Sequence, residues 1–506
     1  MLVQDFLSQT ALRLPDKVAL ICGKRRYTYG ELDAMSSRLA HALVAQGVQR
    51  GDRVAIHLPN SMELVVGLFA ALKAGGCFVL IHESAKHDKR DYILNNARAT
   101  ALLMEGRGAG TCEDLWAAIP SLKTAVLCGP GEAPAEVRLG RFQDLLERFP
   151  ATAPKVATID LDLAALIYTS GSTGEPKGVM SDHSNIEFAS HSILSYLGQE
   201  EADTVLCALP LSFDYGLYQV FMTFRTGGTL VLERSFTYPA AVLQRIQEER
   251  VTGFPGVPTL FTLLLQMDRS AFDLSSLRFL TNTAAALPPG QIRQLQAAFP
   301  GTRLFSMYGL TETKRTLYLP PEQLAVRPDS VGIAIPGTEV WIEDEAGRRL
   351  GPGEIGELVV RGRHVMRGYW EAPEATARRY RPGPLPGERL CYSSDLFRMD
   401  EEGFLYFVSR RDDIIKCGGQ KVAPKEVENV LHMLPGVLAA VIGVPDPVLG
   451  QAIKAVLVQG ATPLTEKDVI AHCRAHLEDY MVPRFVEFVA SLPMTSSGKI
   501  SKIGLT

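Results

Sequence analysis

Through roughly its first four hundred residues the chain alternates short β-branched runs with amphipathic stretches, and this rhythm restricts its fold more than any other feature. In "RVAIHLPNSMELVVGLFAALKAGGCFVLI" a strand leads to Ser61, which can cap a helix whose Leu64, Phe69 and Leu72 recur near helical spacing. Gly75 and Gly76 stop that helix before the strand "CFVLI". The same order returns at 204–233, where "TVLCALPLS" leads into "YGLYQVFMTFRTGG" and then "TLVLE". Such strand–helix–strand units predict an α/β fold with mainly parallel strands. There is no solenoid repeat and no low-complexity tract.

After Gly337 the texture shifts to short strands and tight turns, "TEVWIEDEAGRRLGPGEIGELVVRG", which reads as a β-rich subdomain ending near "GFLYFVSRRDDIIK". From about Asp413 the pattern becomes α+β, with helices in "APKEVENVLHML" and "TEKDVIAHCRAHL" and strands in "LAAVIGVPD" and "KAVLVQG". The expected organisation is a large multi-subdomain region over 1–408, a hinge at 409–413 and a small mobile α+β domain over 414–506. With 46% apolar and 21% charged residues, such a chain can bury several cores and is not a disordered polymer. A formal charge of −4 supplies no global positive field for nucleic acid or an anionic membrane. Acidic Asp5 stands where a signal peptide is basic, and no apolar run reaches the ~18 residues of a membrane span, so a cytoplasmic protein is expected. The eight cysteines have no metal-type spacing and read as structural thiols.

The most informative string is "LIYTSGSTGEPKGVM", residues 166–180. A strand ends in Leu166, Ile167 and Tyr168, and Thr169, Ser170, Ser172 and Thr173 then interleave hydroxyls with Gly171, Gly174 and Gly178. Glycine permits close backbone approach, so successive N–H groups can face an anion while the hydroxyls and Lys177 add donors and charge. A triphosphate fits that chemistry. Lys177 follows a proline and precedes a glycine, so this is not the P-loop, whose Ser/Thr after lysine holds magnesium.

"YTSGSTGEPKG" resembles the phosphate loop of the adenylate-forming superfamily: acyl-CoA synthetases, luciferases and non-ribosomal peptide synthetase adenylation domains. Four further segments match in that superfamily's order: "SMYGLTET" at 306–313, "YSSDLF" at 392–397, "SRRDDIIKCGGQKVAPKEVE" at 409–428 and "PMTSSGKI" at 493–500. The resemblance implies ATP-dependent joining of a carboxylate to the α-phosphate, loss of pyrophosphate, and transfer of the acyl group to a thiol. It places Tyr308 against adenine, Thr311 near the α-phosphate, Glu312 on Mg²⁺, Asp395 on the ribose hydroxyls, Arg410 on ribose and phosphate, and Asp412 at the hinge. It also makes Lys499 the ammonium that bridges the substrate carboxylate and the α-phosphate. Ser394 and Ser409 stand where the family usually has glycine.

By the same resemblance Asp214, Tyr215, Tyr218, Pro255, Thr281, Thr283, Met307 and Arg315 line the acid pocket. Asp214 falls where amino-acid-activating members pair a carboxylate with the substrate's ammonium, whereas "YGL" beside it also resembles acyl-CoA synthetases. Arg315, with Lys314, either binds a second carboxylate or pairs with Asp214. Only seven residues follow Lys499, so no carrier segment is expected, and the acceptor is the 4′-phosphopantetheine of a free-standing carrier protein or coenzyme A. The first expectation is a stand-alone enzyme that loads a small amino acid on a discrete carrier protein in secondary metabolism. The alternatives are an acyl-CoA synthetase for a fatty or cyclic acid and a non-catalytic nucleotide-binding homologue.

Overall fold

The computed structural model describes all residues except 107–111, 130–138, 170–175, 237, 418–419, 447–448, 461, 478, 496–499, 503 and 506. Two large sheets carry the βαβ rhythm. One has seven strands in the order Leu139–Arg141, Thr124–Cys128, Ala99–Glu105, Arg53–His57, Cys77–Leu80, Leu163–Thr169 and Lys177–Asp182. All neighbours run parallel except the last two, which form an antiparallel pair. At the centre of the nine-stranded sheet, Thr229–Leu232, Thr204–Cys207, Gly253–Gly256, Phe279–Asn282 and Arg303–Tyr308 run parallel.

The helix Met62–Lys73 starts as its sequence predicts, with the Ser61 hydroxyl accepting from the Leu64 amide at 3.2 Å. It is apolar nearly all round, as befits a helix buried on every side. Its Phe69 stacks on Phe224 of the helix Asp214–Thr226 with ring centres 5.7 Å apart, inside a core to which both sheets contribute. Three neighbouring parallel strands, ending at Gly256, Asn282 and Tyr308, therefore present their C-terminal ends together. In open parallel sheets that edge is where ligands bind.

The β-rich segment is a third sheet, wholly antiparallel, of Thr338–Glu343, Ile355–Gly362, Arg389–Met399, Tyr380–Pro382 and Leu405–Arg410. A fourth sheet of five strands between Ile415 and Phe488 has its own core around Val427, Leu431, Ile453 and Val469. Its helix Glu466–His476 opens on a capping box, Thr465 accepting from the Asp468 amide at 3.3 Å. Asp412 lies in the short 3₁₀ turn Arg411–Asp413 between these two sheets. No helix among the described residues is long and apolar enough to cross a membrane.

Candidate active site

The paired strands Leu163–Thr169 and Lys177–Asp182 set Thr169 opposite Lys177, on either side of the glycine- and hydroxyl-rich string in the sequence. Of that string, Ser170, Gly171, Ser172, Thr173 and Gly174 lie outside the described residues, as does Lys499. The second strand is fastened on its other side too, the Trp370 amide donating to the Gly178 carbonyl at 2.7 Å. Through that seam the Lys177 ammonium comes to lie 5.8 Å from the centre of the Tyr369 ring.

Tyr369 leads on to Glu312. Its hydroxyl donates to Oε1 of Glu312 at 2.5 Å, and Arg379 Nε lies 3.8 Å from the same oxygen. Glu312 is buried, and its second carboxylate oxygen accepts no hydrogen bond among the described residues. Tyr308, at the end of its strand, donates to Oδ2 of Asp395 at 2.6 Å, while Arg410 Nε lies 3.7 Å from Oδ1. Burial raises the Asp395 pKa above the ordinary carboxylate range, against the pull of Arg410 and the Tyr308 hydroxyl. Burial, with Asp395 next, likewise pushes the Tyr308 hydroxyl well up. Thr311 sits half-buried between the two groups in sequence.

Asp395 reaches this place through a bulge. Glu357 pairs with Leu396 and Val359 with Tyr392, so Ser393, Ser394 and Asp395 face a single residue of the neighbouring strand. Ser394 adopts φ +55°, the left-handed conformation that glycine takes freely. Its amide donates to Glu357 at 2.8 Å, and its hydroxyl accepts from Arg379 Nη1 at 2.8 Å. Serine thus occupies the glycine-like conformation, with its side chain engaged by an arginine. Ser409 is buried and donates to the carbonyl of Arg410 at 2.9 Å.

The second group of expected site residues gathers along the three strand termini and the helix beside them. Pro255 pairs with Thr281, Thr281 with Phe305, and Met307 follows two residues on. The Tyr215 hydroxyl donates to the Thr281 carbonyl at 2.7 Å. Tyr215, Tyr218, Pro255, Thr281, Thr283, Met307 and Arg315 are all buried, while Asp214 opens the helix Asp214–Thr226 half-buried. The Arg315 guanidinium lies 4.6 Å from the Tyr215 ring centre and the Lys314 ammonium 6.0 Å from that of Tyr218. No ion pair joins Asp214 to either cation among the described residues, so of the two alternatives for Arg315 the pairing with Asp214 is not formed in this structure.

One loop links both ends. Between Tyr308 and Leu317 the chain reverses, the Thr316 amide donating to the Tyr308 carbonyl at 2.9 Å. Tyr308 and Glu312 thereby lie on the Asp395 side of the loop, and Lys314 and Arg315 on the side of the helix Asp214–Thr226. The model of the AMP-binding enzyme family matches residues 7–370, and that of the AMP-binding enzyme C-terminal domain matches 426–499. The chain belongs to this family. The AMP-binding enzyme is thus an ATP-dependent, AMP-forming acid–thiol ligase by descent.

It is 35% identical over 494 residues to a feruloyl-CoA synthase of Amycolatopsis sp, spanning 96% of this chain and 95% of that protein. It is 31% identical to a long-chain-fatty-acid–CoA ligase of Bacillus subtilis (strain 168), spanning 98% and 93%. The crystal structure of the anthranilate CoA ligase AuaEII with anthranoyl-AMP superimposes with a TM-score of 0.91 at 28% identity, covering 99% of this chain and 95% of that one.

Within this AMP-binding enzyme, sequence reasoning had missed Arg379 and Tyr369. Arg379 closes the helix Pro373–Arg379 and reaches across to both Glu312 and Ser394. Its only signal in the sequence is the basic pair in "ATARRYRPG". His183 is buried, with a pKa lowered to about 4 chiefly by desolvation, and accepts from the Val3 amide at 3.1 Å. For Mg²⁺ the resemblance singles out Glu312, and no group of three or more potential ligands exists among the described residues. That fits an ion held mainly by phosphates, which needs only one or two protein carboxylates. Glu312 would hold it through its free oxygen, where it would offset phosphate charge.

Lys314 makes a stability prediction. Burial lowers its pKa from 10.5 to about 8, so the folded state binds that proton more weakly than the unfolded chain. The resulting penalty is fully present below pH 8 and is relieved as pH rises toward 10.5. Lys314→Met should therefore stabilise the ligand-free enzyme near neutral pH, by up to ~3 kcal/mol. Denaturant melts at pH 6.5 and pH 9.5 should show the full gain at the first and less than half of it at the second. Equal destabilisation at both would mean that the ammonium has a partner in solution.

Proposed function

We propose that this enzyme condenses a small carboxylic acid with ATP to give an acyl-adenylate and pyrophosphate, then passes the acyl group to the thiol of coenzyme A. The observation that carries this reading is the loop Gly309–Thr316, which joins the hydrogen-bonded Tyr308–Asp395 pair to a buried cationic wall one short turn away. The substrate carboxylate is already ionised at neutral pH, so the chain needs no base to make the nucleophile. Its task is electrostatic, bringing two anions together and offsetting the charge that builds on phosphate. Lys177, Arg410 and Arg379 are the described cations around the nucleotide end.

Coenzyme A as acceptor is supported by the relatives named above, all CoA ligases. Transfer to a discrete carrier protein, the first expectation from sequence, rests on Asp214 as an ammonium partner. Two buried cations already flank that carboxylate's helix, and a substrate ammonium would add a third positive charge there.

The test is ATP–pyrophosphate exchange with a panel of fatty, aryl, dicarboxylic and amino acids, followed by thioester assay with coenzyme A and with a holo-carrier protein. Exchange with at least one carboxylic acid and a thioester on coenzyme A are expected. Exchange with amino acids alone, and acyl transfer only to the carrier, would replace this reading. No exchange with any acid would leave a nucleotide-binding homologue.

A further inference from the structure

Lys314 and Arg315 are neighbours in sequence and both are buried, at 1% and 2% exposure. Consecutive residues of an extended chain face opposite ways. Here Lys314 takes φ +58°, a left-handed conformation that costs a lysine energy, and both side chains meet one face of the helix Asp214–Thr226. They lie over Tyr215 and Tyr218, three residues apart on that helix. The Lys314 ammonium, the Arg315 Nε and the Tyr218 hydroxyl have no hydrogen-bond partner among the described residues, nor has Oδ1 of the neighbouring Asn282. Four unsatisfied buried polar atoms at the end of one parallel sheet are not a packing solution, since each costs the desolvation of its group.

Charge sharpens the point. The carboxylates whose fields reach Lys314 are Asp214 and Glu312. Glu312 is engaged by Tyr369 and Arg379. Asp182, whose field reaches Tyr218, is engaged by Arg367. Among the described residues that leaves Asp214 against two buried cations, and one positive charge uncompensated in a water-poor site. An unpaired buried charge is strongly destabilising, and a protein retains one where a ligand completes it.

We propose that the acid this enzyme activates carries a second carboxylate, and that Arg315 and Lys314 bind it, with the Tyr218 hydroxyl as a further donor. Guanidinium binds carboxylate through a planar, two-pronged contact, which suits Arg315 as the main anchor. The substrate class is thus a dicarboxylic acid, one carboxylate reacting with ATP and the other held at the wall. This rests on the ligase reading above and adds to it the chemistry of the pocket.

The experiment compares matched pairs in ATP–pyrophosphate exchange: succinate, glutarate, adipate and phthalate, each against its monomethyl ester and against the monoacid of equal chain length or ring. At least one diacid should exceed both partners by about 100-fold or more in kcat/KM, because a site built to bond a polar group discriminates strongly against analogues lacking it. In Arg315→Met and in Lys314→Met that ratio should collapse toward one, chiefly through KM for the diacid. The same diacid, and not its ester, should raise the melting temperature of the wild-type protein in the absence of ATP. This readout does not depend on either variant being active. Monoacids or esters that match their diacids in the wild type would overturn the inference while leaving the ligase reading intact. An Arg315→Met variant that loses diacid and monoacid turnover in equal proportion would also overturn it, since that is what a purely structural arginine does. If no acid of any kind supports exchange, it is the ligase reading that fails.

Discussion

Replacing Lys499 with alanine should abolish most adenylate formation and leave ATP binding nearly intact. The residue lies in "PMTSSGKI", which resembles the segment that delivers the adenylation lysine in this family, and it falls outside the described part of the structure. The reasoning is electrostatic. A carboxylate and an α-phosphate repel each other, and negative charge shifts onto phosphate oxygens as the new bond forms. A single ammonium bonded to both partners acts most strongly when they are closest, which is the definition of transition-state stabilisation. Loss of one such donor costs roughly 100- to 1000-fold in turnover. Nucleotide affinity should survive, because Tyr308, Asp395, Glu312 and Arg410 belong to other strands and loops and keep their mutual contacts. Exchange rates and ATP-dependent thermal shifts, measured side by side on Lys499→Ala and wild type, separate the two effects. Unchanged exchange in the variant would remove Lys499 from the chemistry, and parallel loss of exchange and of ATP binding would make it a nucleotide contact instead.

What could be read from the sequence was whatever is local. The Ser61 cap, the helix it begins, the strand that ends at Tyr168 and the helix in "TEKDVIAHCRAHL" all depend on residues within a few positions of one another. The family segments single out Tyr308, Glu312 and Asp395, each in a string whose order is itself informative, and the fold brings Tyr308 against Asp395. The parts that escaped are those made by crossing between sheets. Arg379 meets Glu312 only because the helix Pro373–Arg379 is folded back over the antiparallel sheet beside the bulge at Ser394. Tyr369 depends on the seam that ties residues 368–370 to the strand Lys177–Asp182. Neither contact has a periodicity or a motif to announce it. The left-handed Lys314 is a third case: a lysine carries no propensity for that conformation, so nothing local predicts it. Such departures from local preference concentrate where a site imposes them.

That same turn makes Gly309→Ala the most severe single-atom-scale change available in the site. A Cβ on Gly309 would stand 1.8 Å from the Lys314 carbonyl oxygen, 2.8 Å from its carbonyl carbon and 3.0 Å from the Arg315 Cα. All three are backbone atoms, so no rotamer can relieve the clash, and the loop itself must open. Opening it moves Glu312 away from Tyr369 and Arg379, and it moves Lys314 and Arg315 off the helix of Tyr215 and Tyr218. Misplacing groups by about 1 Å in such a site costs on the order of 100-fold in rate, and two ends of the site are misplaced together here. Gly309→Ala should therefore lose at least about that factor in acid-dependent exchange. Its cost to global stability should be about 1–3 kcal/mol, the range for forcing an extra methyl into a packed region, because both sheets and their shared core are untouched. Gly290→Ala is the matched control: it sits in the helix Pro289–Ala298 with nothing within 4 Å of the added carbon, and should be neutral or slightly stabilising. A Gly309→Ala enzyme with wild-type exchange would show that the loop opens at little expense, and that the nucleotide and acid ends are not held in register by it.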